Sequence, residues 1–125
     1  MEACRTELTL TPAMIAGPGL HVTVARVDGA LAGYCALSST GGETLEIEAL
    51  FVDPPQIGRG IGRQLLHHAR HQARTLGATT LIVQSDPDAA GFYAREGGRR
   101  VGSRASRSLP HRLLPLFDFV LEDEG

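Results

Sequence analysis

The stretch Pro54-Pro55-Gln56-Ile57-Gly58-Arg59-Gly60-Ile61-Gly62-Arg63-Gln64-Leu65-Leu66 decides how the rest of the chain is read. Apolar residues precede it in Thr44 to Val52 (TLEIEALFV), a strand that the two prolines halt. An amphipathic pattern follows over residues 59–76, where Ile61, Leu65, Ala69 and Ala73 recur every fourth place, widened by Leu66 and Leu76. Arg63, Gln64, His67, His68, Arg70, His71 and Arg74 cover the other side, and Gly77 is a natural residue just past a helix end. The stretch is therefore a strand-to-helix turn with glycine at three alternating places. Glycines let the backbone approach a bulky ligand without Cβ collisions. A helix start presents unpaired N–H groups and the positive dipole end, which suits a phosphate or pyrophosphate. Arg59 and Arg63 are placed to add charge-assisted bonds to phosphate oxygens.

Outward from the turn, His21 to Val27 and Leu31 to Leu37 flank Asp28-Gly29, a strong signal for a hairpin with a type I′ turn. Ser38 to Glu43 reads as a polar turn, Thr79 to Gln84 as a short buried strand, and Asp88 to Glu96 as a short helix closed by Gly97-Gly98. Residues 99–101 start another strand, residues 102–112 read as a Ser/Arg-rich loop, and Leu116 to Leu121 make the last strand. Thr11-Pro12 looks like an N-cap and first-turn proline for a short helix ended by Gly17-Pro18-Gly19. The order is β-β-β-α-β-α-β-β. It implies an α/β or α+β domain with a mixed, mostly antiparallel central sheet and flanking helices.

At 125 residues, 42% hydrophobic and 21% charged, the chain has the make-up of one soluble globular domain. Its net charge of −2 offers no global basic field, so no nucleic-acid partner is expected. No apolar run approaches the length of a membrane span, and no membrane partner is expected. Cys4 and Cys35 fit a reducing, cytoplasmic setting, with Cys35 a small buried side chain inside a strand. All 12 basic residues are arginine, which removes Schiff-base chemistry and the lysine of a Walker A loop. The dinucleotide pattern G-x-G-x-x-G fails as well: Arg63 follows Gly58-x-Gly60 and Leu65 follows Gly60-x-Gly62 at the third glycine's place.

Over residues 21–121 the chain resembles the GNAT superfamily of Gcn5-related N-acetyltransferases. In that family a strand ending in V-x-P leads into R/Q-x-x-G-x-G/A. Here Ile57-Gly58-Arg59-Gly60-Ile61-Gly62 holds those places, with Ile57 where Arg or Gln is usual. Asp88-Ala89-Ala90-Gly91-Phe92-Tyr93, closed by Gly97, is similar to the family's N-A-x-x-F-Y-x-x-x-G, with Asp88 for asparagine. The resemblance makes residues 1–125 a single acetyltransferase-like domain of GNAT-like fold, N-terminally abbreviated, since only 20 residues precede His21 where relatives place a strand and two helices. A natural truncation, a misplaced start, or a wall borrowed from a second copy in a homodimer are the open alternatives.

The resemblance implies acetyl-CoA as cosubstrate, with no metal, and direct transfer to a primary amine of a small molecule or peptide. Gly58, Arg59, Gly60, Ile61, Gly62 and Arg63 with Ile57 would hold the pyrophosphate. Main-chain groups of Leu50, Phe51 and Val52 would hold the pantetheine arm, and Asp88, Ala89 and Phe92 would line the coenzyme. Deprotonating an alkylammonium at neutral pH costs roughly 4–5 kcal/mol, so a carboxylate near the acceptor is needed. Glu46 and Glu48 lie two residues apart on one strand face and suit a cationic acceptor, and Glu46 holds the place of the general base in one branch of the family. A solvated face is the alternative for both. Tyr93 matches the tyrosine that protonates the departing thiolate, the alternative being a buried core aromatic. His67 and His71 have a zinc-like i, i+4 spacing, but they fall on the polar helix face and read as solvated. Arg99, Arg100, Arg104, Arg107 and Arg112 read as loop cations. The rival functional classes are a non-catalytic acyl-CoA-binding or regulatory module and a purely structural α/β domain that binds nothing.

Overall fold

The computed structural model describes residues 8–12, 19–39, 42–56, 58, 60–106 and 112–121. Among the described residues seven strands form one sheet: β1 Leu8–Pro12, β2 Leu20–Val27, β3 Ala30–Ser39, β4 Thr44–Val52, β5 Thr80–Gln84, β6 Arg99–Ala105 and β7 Leu113–Val120. Helix α1 spans Ile61–Thr75 and α2 spans Ala90–Arg95, each preceded by a short 3₁₀ turn, Pro54–Gln56 and Pro87–Ala89. The strand order is β1-β2-β3-β4-β5-β7-β6, and only β4 and β5 run parallel. The α1 crossover accounts for that pair, because a parallel connection needs a long return segment. The expected mixed, mostly antiparallel sheet is what forms.

The β2–β3 hairpin closes through Asp28 at φ 53° and Gly29 at φ 86°, the two positive angles that a type I′ turn requires. Leu45, Ile47, Leu81, Val83, Phe117 and Phe119 meet across β4, β5 and β7 on one face. Helix α1 lays Ile61, Leu65, Leu66, Ala69 and Ala73 against that face, and α2 adds Tyr93 over Phe117 and Phe119. The opposite face carries Tyr34 and Phe51, whose rings lie 5.6 Å apart, and no helix among the described residues covers it.

Three expectations are corrected. Thr11 and Pro12 do not begin a helix: they end β1, the outer strand, where Leu8 and Leu10 turn inward. Proline is tolerated there because an edge strand needs no N–H on its outer side. Residues 102–105 are not loop either, since β6 runs to Ala105. Its register slips between Arg100 and Gly102, and Gly102 takes φ 154°. A bulge of this kind breaks the alternation that would have marked a strand. β7 likewise starts at Leu113 rather than Leu116, and Ser103 pairs with Pro115 inside it. Cys4, Gly17 and Pro18 lie outside the described residues.

The β3–β4 contact is tightest at Gly33, where an added Cβ would stand 2.4 Å from the Phe51 carbonyl oxygen. Main chain cannot swing aside as a side chain does. Gly33→Ala should therefore lower stability by about 1–3 kcal/mol. Gly62→Ala places its methyl at 3.5 Å from Val52 Cγ2, an ordinary contact, and should leave stability level or slightly raised. Urea unfolding midpoints of the two variants check the contrast.

Candidate active site

The site starts where β4 and β5 part. Their parallel register runs from Thr44–Thr80 to Ile47–Val83 and stops, while β4 continues to Val52. Beyond that point β5 follows β7 instead, since the Ser85 N–H donates to the Pro115 carbonyl at 2.9 Å. The Asp53 N–H donates to the Ala32 carbonyl at 2.7 Å, which fixes the phase of the β3–β4 ladder. Phe51 and Asp53 thus turn their main-chain groups toward β3. Leu50 and Val52 turn theirs away, into the side that β5 has left. Of the three residues expected to offer main-chain donors, Leu50 and Val52 face the gap.

The turn after β4 aims a second set of donors at the same region. Gly58 has φ 90° and Gly60 has φ 82°, and a Cβ on either would meet nothing within 4 Å. These glycines are required by backbone conformation and leave open space above them. Gly62 differs: it lies inside α1, pressed between Val52 and Phe92. Gly60 is the N-cap and offers no side-chain cap, and the first turn of α1 holds no acidic residue. The first intrahelical bond is Gln64 N–H to the Gly60 carbonyl at 3.0 Å, so the N–H groups of Ile61, Gly62 and Arg63 have no helical acceptor. These features fit a diphosphate. Ile57 and Arg59 lie outside the described residues.

From this turn a cavity of about 560 Å³ continues between α1 and α2, lined among others by Arg63, His67, Arg70 and Arg95. Arg63 meets Glu96 at 3.4 Å, with its side chain 75% exposed, a contact of little energetic weight. Arg70 donates to the Glu96 carbonyl at 3.1 Å and lies over the Phe119 ring at 5.2 Å, which fixes its guanidinium. The stripe Arg63, His67, Arg70 has helical spacing, and that signal was present in the sequence. His67 and His71 are exposed, and His68 is half-buried with its pKa lowered by burial and by the two neighbouring histidines. Among the described residues no group of three or more His, Cys, Asp or Glu is placed to hold a metal ion.

In α2, Phe92 packs on Gly62, and Tyr93 is 5% exposed. The Tyr93 phenol is pushed well above its usual range by burial, and also by the charges of Cys35 and Asp86. Those two groups bracket the gap: Cys35 is the cross-strand partner of Leu50, and Asp86 follows the end of β5. Asp88 is exposed and Ala89 half-buried in the 3₁₀ turn. Asp86, which the sequence did not single out, caps the turn by accepting from the Ala89 N–H at 2.9 Å.

Glu46 and Glu48 lie over the helix-free face. Ser38, directly across from Glu46, donates to the Glu48 carboxylate at 2.6 Å, so both carboxylates share that face as expected. Their surroundings differ. Glu48 is exposed, whereas Glu46 is buried and accepts a 2.8 Å bond from Arg104. Arg99 and Arg104, expected as loop cations, are strand residues with partners: Arg99 grips Asp118 at 3.0 and 3.1 Å. Arg100 donates to Ser103 at 3.5 Å, Arg112 is exposed and Arg107 lies outside the described residues.

A family model for the acetyltransferase (GNAT) family matches residues 3–98. The N-alpha-acetyltransferase RimI of Mycobacterium tuberculosis is 40% identical over 94 residues, 72% of this chain and 59% of that protein. Streptothricin acetyltransferase of Streptomyces lavendulae is 48% identical over 58 residues, 46% of this chain and 31% of its own length. The chain thus spans less than two thirds of these curated relatives. A GNAT family acetyltransferase from Elizabethkingia anophelis, solved with acetyl-CoA bound, superposes with a TM-score of 0.79. It is 18% identical over 91% of this chain and 98% of that one, a likeness of fold.

The groups that bracket the gap set an alkaline limit on stability. Burial pushes the Cys35 thiol from 9.0 up to about 12, and Tyr93 shifts in the same direction. The unfolded chain then releases these protons first, so their stabilising effect is complete below pH 9 and is lost as pH rises toward 12. The slope is about 1.4 kcal/mol per pH unit for the thiol alone. Urea midpoints should hold level from pH 7 to 8.5 and fall above about 9, with Cys35→Ala flattening the first part of the fall. A midpoint that stays level through about pH 10.5 would show the thiol to be solvated.

Proposed function

The chain belongs to the GNAT acetyltransferase family, and on that footing we propose that it transfers an acetyl group from acetyl-CoA to a primary amine of a small molecule or peptide. One observation carries the reading: the N–H groups of Leu50 and Val52 and the uncapped start of α1 open on the same side of β4, where β5 has withdrawn. A thioester arm extended along that gap meets main-chain donors near its carbonyl, and its diphosphate reaches the turn Gly58 to Gly62. Ile57 and Arg59, which flank Gly58 in the sequence, are assigned to the same diphosphate contact. Arg63, Arg70 and Arg95 along the adjoining cavity suit the remaining phosphate charge, and the reading assigns Asp88 and Ala89 of the 3₁₀ turn and Phe92 of α2 to the coenzyme.

The reaction forms a C–N bond and breaks a C–S bond. On becoming an amide an alkylammonium gives up two protons, one before attack and one from the tetrahedral intermediate; sulfur takes one, so one proton passes to solvent. Glu46 or Glu48 receives the proton from the acceptor ammonium. In this reading Tyr93, whose phenol burial keeps neutral, acts on the sulfur. An ordinary thiol titrates near 8.5, so complete proton transfer from a phenol above 10 is uphill by about 2 kcal/mol or more. Its contribution is therefore a hydrogen bond to the departing thiolate, which takes its proton from water. Among the described residues no helix is long and apolar enough to cross a membrane. One observation favours the second reading, an acyl-CoA-binding module: Arg104 already occupies Glu46.

Calorimetric titration with CoA should show binding in the wild type and none detectable in Gly60→Asp, which puts a carboxylate and a strained φ at the donor turn. An aspartate there with no effect on binding would sink the proposal. Thiol release from acetyl-CoA with a panel of amines then separates transferase from binding module. Tyr93→Phe should lower kcat by about 10²-fold with CoA affinity kept; a full rate would reduce Tyr93 to a core aromatic.

A further inference from the structure

Glu46 has a partner that lies outside the residues matched by the family model. Arg104, on the outer strand β6, reaches over the helix-free face to place Nη1 at 2.8 Å from Glu46 Oε2. The same nitrogen lies 3.5 Å from Gln84 Oε1, and Gln84 Nε2 donates to the Ala105 carbonyl at 3.3 Å. These contacts tie the last residue of β5 to the end of β6 and hold the guanidinium in place. Glu46 precedes by one residue the last β4–β5 pair, so the ion pair sits at the mouth of the gap.

We propose that the Glu46–Arg104 pair is an acceptor subsite for α-amino acids, amines that carry a carboxylate on the same carbon. This rests on the transferase reading above. A simple alkylammonium entering at Glu46 must displace the guanidinium, and Arg104, with its side chain 35% exposed, then loses its carboxylate. Leaving one partner of a partly buried pair without its counter-charge is unfavourable, though less so than in a fully buried pair. An α-amino acid brings both charges. Its ammonium replaces the guanidinium on Glu46, its carboxylate takes the guanidinium in the two-pronged geometry that arginine favours, and no charge is stranded. The exchange also draws Arg104 off Glu46, leaving that carboxylate able to take the ammonium proton when a carboxylate-bearing acceptor is bound. Arg104 is in this sense a specificity-determining residue. Discrimination arises because the analogue without the anion leaves a built charge unpaired.

The test compares matched probes on the full chain: L-alanine with ethylamine, L-phenylalanine with phenethylamine and with L-phenylalaninamide. Thiol release from acetyl-CoA gives kcat/KM for each, and calorimetry gives the binding ratio with and without CoA. In the wild type at least one amino acid should exceed its matched amine about tenfold or more. Arg104→Gln should bring that ratio to within about twofold, through a raised KM for the amino acid, and Arg104→Lys should restore part of it. Circular dichroism and urea midpoints verify that the variants fold, and CoA affinity should be unchanged in both. A wild-type ratio at or below one overturns the proposal, as does an equal loss for both members of a pair in Arg104→Gln. Failure of the wild type to bind CoA sinks the transferase reading alone, because the amino-acid-to-amine binding ratio is read without coenzyme.

Discussion

The structure depends on the parting of two parallel strands. A strand in the middle of a sheet normally gives both edges to its neighbours, because unpaired main-chain groups are costly once water is removed. β4 gives only one edge over its last residues. The cause is competition for β5: its end is held by β7 through Ser85 and Pro115, while β4 is held by β3 through Asp53 and Ala32. Each strand satisfies its main chain on its outer side, and the gap opens between them. Tyr93 and the N-terminal end of α1 border that gap, so it is walled by packed side chains on the helix side. Donors left over by the sheet become donors available to a ligand.

Charge is divided across this gap. On the helix side stand the uncapped start of α1 and the arginines of the adjoining cavity, with Glu96 the acidic side chain among its lining residues. On the helix-free side stand Glu46 and Glu48, with Arg104 set against the first. The net charge of −2 conceals this arrangement, since it sums two local fields of opposite sign. An anionic coenzyme end and a cationic acceptor end would approach from different sides without mutual screening at short range.

Most of this fold was legible wherever one periodicity ran unbroken. β4 carries the limits read from its sequence, Thr44 to Val52, although its register against β3 shifts between Ile47 and Ala49, and α1 shows the buried stripe read at every fourth residue. The hairpin was legible because Asp-Gly has a conformational meaning. β1 and the outer half of β6 were not, for a common reason. Both are edge strands whose burial comes from one side only, and β6 is interrupted by a bulge at Gly102, so neither shows sustained alternation. The turn into α1 was legible in its glycines, two of which take positive φ. Arg104 was not, because its partner lies 58 residues away and no local rule connects an edge-strand arginine to a buried glutamate.

The three glycines of the turn looked equivalent in sequence, yet they do different work. Gly58 and Gly60 adopt positive φ with open space around the missing Cβ, so any other residue is strained there even though nothing blocks it. Gly62 sits in an ordinary helical conformation between Val52 and Phe92, where contact distance is what matters. Through those two neighbours it joins β4 to α2, the element that carries Tyr93. The turn therefore has two functions in one run of sequence: its first two glycines expose main-chain donors, and the third sets how closely the helix start approaches the strand whose free edge faces the gap. An alternating pattern serves both because the residue after the second glycine is already the first residue of the helix.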